Sequence, residues 1–204
     1  MNFIVDDENF IYTSFSSERY TPYSLARKIG ATAILESASF SKGRERYSIL
    51  MTREAFKIIQ DTDGIAFLVD EKRIPFDTTN VESHDALGRK KTADILDALV
   101  YVANQSKRPL PGNICEIQIP SSGLGYLSYE FAARCDNIKF FEQNDELKIP
   151  ESLFVTGHFY IVFDHFTETM HLFEKPCSSF HLQVYSVPRS KHFCNIVPYK
   201  LLHH

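Results

Sequence analysis

Apolar residues along this chain fall mainly in short alternating runs, a period-two pattern that predicts strands, and only two segments carry the helical period. Residues 10–15 alternate as a first strand and the polar stretch 16–20 ends it. A short helix is predicted next. Thr21 is placed to cap it, Pro22 suits its first position because the missing N–H would be unpaired there, and Gly30 suits its C-terminal end. Two apolar segments, 33–35 and 47–50, then enclose a polar link with Glu36, Ser37, Ser39, Ser41, Lys42, Arg44, Glu45 and Arg46, and read as adjacent strands with charge at their ends. Residues 55–60 and 64–70 form a hairpin around Asp61-Thr62-Asp63-Gly64, since Asp-Gly readily takes positive φ. Residues 76–89, with His84, have no period and read as a surface connection.

Ile95, Leu96, Leu99, Val100 and Ala103 recur at helical intervals and predict a helix over 91–105, with Thr92 near its start and one face against a sheet. The linker 106–113 cannot continue it, having two prolines and a glycine. A short strand at 114–119 follows. Residues 121–134 turn from strand into helix, and Gly123 and Gly125 lack both the third glycine of a dinucleotide fingerprint and the Gly-Lys pair of a P-loop, which leaves close backbone packing as their reason. After an acidic irregular loop at 136–150, residues 153–164 form a long apolar strand that turns at 164–168 and pairs back through 169–173. His158 and His165 sit on or beside that pair for structural reasons. The sum is an α+β fold, a mostly antiparallel twisted sheet with a few helices on one face.

Composition narrows the class. With 204 residues, 44% hydrophobic and 24% charged, the chain has the profile of an ordinary globular domain able to bury a core. Net charge is −4 with cations dispersed among acids, so no basic face points to nucleic acid. No run approaches the roughly 20 apolar residues of a membrane-spanning helix, and the acidic N-terminus does not resemble an export signal. These features lead to a cytoplasmic expectation; Cys115, Cys135, Cys177 and Cys194 show no CxxC spacing, and their reading as reduced thiols follows from the lack of an export signal.

The candidate chemistry lies in residues 32–50. A carboxylate, several hydroxyls and two guanidinium groups together suit an amino acid, whose ammonium and carboxylate need opposite partners. An exposed, charged hairpin tip is the other reading of the same residues.

Five segments carry a wider resemblance: TPYSLARKI (21–29), AILESASF (33–40), RYSIL (46–50), GLGYLSYEFAAR (123–134) and PESLFVTGHFYIVFDHFTETMHLF (150–173). In order and spacing over residues 10–173 the chain resembles the N-terminal domain of anthranilate synthase component I, within the chorismate-utilising enzymes. The resemblance implies that Leu35, Glu36 and Ser37, with Arg46, Tyr47 and Ser48 beside them, help form a pocket for feedback tryptophan. Glu36 would receive the ammonium and Ser37 a hydrogen bond, with aliphatic neighbours covering the indole. Ile34 replaces the usual first leucine. The resemblance also implies a lyase pathway from chorismate to anthranilate, a glutamine amidotransferase subunit as partner, and magnesium for the full-length family.

The family's chorismate site and magnesium-binding glutamates lie downstream of residue 173, and no substitute constellation occurs in residues 1–173, so no catalytic residue, metal ligand or cofactor is assigned to this chain. Residues 174–204 change character: three prolines, two cysteines, four histidines and one acid, with no sustained period. The domain division expected is 1–173 for the family-like domain and 174–204 for an atypical tail of a truncated or frameshifted product. A metal site on Cys177, His181, His192 and Cys194 is the alternative, with spacings that fit zinc poorly. The functional expectation is a regulatory and scaffold domain inactive alone. Its alternatives are a non-catalytic interaction module or one half of a split enzyme. A chain without the catalytic half should expose the apolar face of residues 153–163 and self-associate through it.

Overall fold

A computed structural model of the chain describes residues 4–6, 10–36, 46–79, 81–84, 88–106, 117, 120, 123–135, 138–139 and 148–174. Two long strands form its spine. β4 (Tyr47–Asp61) and β8 (Ser152–Asp164) pair antiparallel from Tyr47↔Asp164 to Gln60↔Ser152, with a bulge between Glu54 and Phe56. Neither strand keeps one neighbour along its other edge. β4 pairs first with β3 (Ala33–Leu35) and then with β5 (Gly64–Val69), while β8 pairs first with β7 (Leu124–Leu127) and then with β9 (Thr169–Glu174). β9 leads on to β2 (Phe10–Ser16) and β1 (Ile4–Asp6), and β5 to β6 (Lys72–Pro75). All these ladders are antiparallel, and with the helices below they make the α+β fold that the pattern predicts.

The bulge lies where the partners change. Arg53 takes φ 57° there, and the extra residue breaks the two-residue alternation of β4. For this reason segments 47–50 and 55–60, which read as separate strands in the sequence, are one continuous element. The ladder's broken rung is filled locally, because the Gly157 N–H donates to the Tyr160 hydroxyl at 2.9 Å. Burial pushes that phenol up to about 12.

Helix α1 (Pro22–Ile29) follows its sequence signals closely. The Thr21 hydroxyl accepts from the Ser24 N–H, the Ser24 hydroxyl accepts from the Thr21 N–H, and Gly30 ends the helix at φ 66°. It lays Leu25 and Ala26 on Leu50, Phe159, Ile161, Phe163, Met170 and Leu172. Helix α2 (Ile95–Ser106) lays Ile95, Ala98, Leu99 and Val102 on Phe56, Ile58 and Phe67. It begins four residues later than its period indicates, since Asp94 and Asp97 form the start. Asp97 accepts from the Asp94 N–H, Asp94 accepts from the Leu96 N–H, and Gln60 of β4 takes the Ile95 N–H. A third cluster joins Tyr12, Met51, Tyr160, Val162 and Phe173 with Ile117 and Leu124.

Several expectations change in the folded chain. Residues 72–75 form a strand because Asp70 and Glu71 both adopt positive φ, the geometry of a tight hairpin turn. Residues 76–89 are not wholly a surface connection: Phe76 packs on the α2 cluster, and buried Ser83 donates to Asp97, while His84 is exposed. Residues 153–163 do not expose an apolar face, since Phe159 to Phe163 are buried beneath α1 and in the third cluster. Residues 121–134 do run from strand to helix, through β7, a 3-10 turn (Tyr129–Phe131) and α3 (Ala132–Cys135). The expected strand at 114–119 lies outside the described residues apart from Ile117, as does all of the tail from residue 175, with Cys177, His181, His192 and Cys194. Among the described residues no helix is long and apolar enough to cross a membrane.

Candidate amino-acid-binding site

The register brings the two halves of the 32–50 segment together. β3 pairs Leu35 with Ile49, so Glu36 leaves the end of β3 beside the start of β4. Leu35 is 51% exposed, and Glu36 is also exposed. Ser37 lies outside the described residues. On the β4 side, alternation separates neighbours. Tyr47 packs with Ile49 and Met51 on the third cluster, whereas Ser48 shares its face with Leu50 and is fully buried.

The partners of Arg46 and Ser48 come from the turn after β8, more than a hundred residues away. Arg46 Nε donates to both Asp164 oxygens at 3.0 Å, and Nη2 donates to Oδ2 at 2.6 Å. The Asp164 side chain is 3% exposed and that of Arg46 39%, so the pair straddles the boundary between core and solvent. Burial alone would raise the Asp164 carboxyl, but Arg46 and the N–H groups of Phe166 and Thr167 outweigh it and hold the group below its ordinary range. The guanidinium carbon lies 4.9 Å from the Tyr47 ring centre and 6.0 Å from that of Phe166. Such spacing is within cation–π reach. Ser48 Oγ lies 2.7 Å from His165 Nε2, the His165 N–H donates to the Arg46 carbonyl, and the imidazole stacks on Phe163.

A second histidine lies across the same sheet. His171 Nδ1 is 2.9 Å from the Tyr12 hydroxyl, and burial lowers its proton affinity, with Asp164 opposing and Arg46 adding to that shift. Between β2 and the β8–β9 turn a shallow depression of about 390 Å³ is lined by Ser14, Phe15, Ser16, Glu18, Thr167, Glu168 and Thr169. None of the five sequence-predicted residues that are described lines it. Asp164, His165 and Phe166 are the functional candidates that sequence reading passed over. Their only local signal is an acid at the head of a turn, and their link to Arg46 and Ser48 exists only in the β4–β8 register.

A divalent cation requires several converging ligands. Among the described residues no group of three or more His, Cys, Asp or Glu side chains comes together.

Fold and site define the class as an antiparallel α+β domain with a charged, partly exposed cluster where its two longest strands meet. No family model matches the chain. Over 156 residues, 76% of its length, it is 39% identical to anthranilate synthase component 1 of Spirochaeta aurantia. Over these residues the chain is similar to anthranilate synthase component 1, and the match spans 29% of that relative's length.

Proposed function

We propose that this chain is the N-terminal regulatory and scaffold domain of an anthranilate synthase component I, a part of the tryptophan pathway step from chorismate to anthranilate, and that it is inactive alone. The observation that carries the reading is the 39% identity over 156 residues. In this reading the mouth formed by Leu35, Glu36 and Ser37 with Arg46, Tyr47 and Ser48 binds a tryptophan-type amino acid. Exposed Glu36 receives the ammonium, Leu35 and Tyr47 cover apolar surface, and Arg46 forms the neighbouring wall, with buried Ser48 behind it.

A glutamine amidotransferase subunit is the proposed partner, and magnesium chemistry belongs to a part of the family outside this chain's described residues. Calorimetry with L-tryptophan tests the site. Heat of binding is expected from the native chain and at least a tenfold loss of affinity from Glu36→Ala. Equal affinity in the two would remove Glu36 as the ammonium partner, and no heat from the native chain would overturn the reading.

A further inference from the structure

β9 and β8 separate β2 from β4 in the sheet, so the depression beside β2 lies apart from the β3–β4 mouth. Two carboxylates meet there. Ser16 pairs with Thr169 in the β2–β9 ladder, and the Ser17 N–H donates to the Glu168 carbonyl at 2.8 Å, which brings Glu18 and Glu168 into one lining although they are far apart in the chain. Neither has an ion-pair partner among the described residues, and Arg19, next after Glu18, is not part of the lining. Like charges held near one another disfavour the fold until a cation joins them. The rest of the polar lining is Ser14, Ser16, Thr167 and Thr169. The Thr169 hydroxyl gives its proton to the Thr167 carbonyl, which leaves that oxygen only lone pairs to offer. The result is an acceptor-rich hollow of about 390 Å³ with no cation of its own, within the roughly 300–1,000 Å³ of small-ligand sites.

We propose that this depression is a second binding site, for a small organic cation with ammonium groups spaced along a flexible chain, a linear polyamine. Each ammonium carries three donors and no acceptor, so Glu18 and Glu168 take one group each and the serine and threonine oxygens accept the remaining N–H bonds. A divalent metal ion fits less well, because it takes about six oxygen ligands and only two carboxylates line the hollow. The site is independent of the amino-acid reading, since none of its lining residues belongs to that mouth.

The experiment is calorimetry on the full chain at low ionic strength, with spermidine and, for comparison, calcium chloride. The native chain is expected to bind spermidine saturably with a dissociation constant of about 1 mM or below. Glu18→Gln and Glu168→Gln, both surface substitutions, are each expected to weaken it about fivefold or more, and the double variant to abolish it. Glu82→Gln, which changes an exposed acid outside the depression that pairs with Lys90, is expected to stay within about twofold of the native chain. Absence of saturable binding to the native chain, native-like affinity in the double variant, or calcium binding as tight as that of spermidine would each overturn the proposal.

Discussion

At the scale of single residues, the pair Arg46–Asp164 ties the sheet's charged end to its core. Truncating one member leaves the other without its charged partner, so Asp164→Asn is expected to cost about 1–3 kcal/mol in chemical denaturation. The pH dependence follows from the lowered carboxyl. Its folded value lies below the ordinary 3.8, so its contribution is complete above about pH 4 and is lost as the pH falls through the folded value. Asp164→Asn should therefore flatten the acid limb of the stability curve. His171 acts one pH range higher. Burial holds it below the ordinary 6.5, so the unfolded chain takes up the proton first and stability declines as the pH drops from about 6.5 through the folded value. Thermal melts of His171→Gln between pH 7 and 5 are expected to show a weaker slope than the native chain. An unchanged slope would place the titrating group elsewhere.

At the scale of elements, local chemistry was legible where it is self-contained. The α1 capping box, the turn before Gly64 and the β8–β9 pair are each written within a few consecutive residues. Features that depend on distant strands were not. The bulge between Glu54 and Phe56 joins two apparent strands into one, and the late start of α2 depends on Gln60 of β4 taking the Ile95 N–H. The glycines show the same division. Gly123 and Gly125 were read as sites of close packing, and a Cβ at Gly125 would lie 2.0 Å from the Leu153 carbonyl oxygen and one at Gly123 2.3 Å from that of Val155. Gly125→Ala is expected to cost about 1–3 kcal/mol by pushing β7 off β8. At Gly30 nothing lies within 4 Å of such a Cβ, and Gly30→Ala should cost only the left-handed backbone term, about 1–2 kcal/mol. Thr21→Ala, which removes one arm of the capping box, is expected to cost about 1 kcal/mol. Urea titration of the three variants ranks them directly.

At the scale of the whole molecule, one sheet with two partner sets carries the site at the end where β3, β4 and the β8–β9 turn meet. The links from Arg46 to Asp164 and Phe166 and from Ser48 to His165 are made by the β4–β8 register, which no spacing near residue 46 encodes. Alternation also separates Tyr47 from Ser48: Tyr47 packs on the third cluster, while Asp164 holds Arg46 and Ser48 lies against His165. The similarity to anthranilate synthase component 1 extends over most of the chain, while the amino-acid role depends on a ligand. A ligand that binds only the folded chain raises its melting temperature in proportion to the logarithm of its concentration. The most direct measurement is thus the melting temperature across an L-tryptophan series, for the native chain and for Glu36→Ala. A rise of several degrees in the native chain that Glu36→Ala largely lacks is the predicted result, and a melting temperature independent of L-tryptophan in the native chain would contradict it.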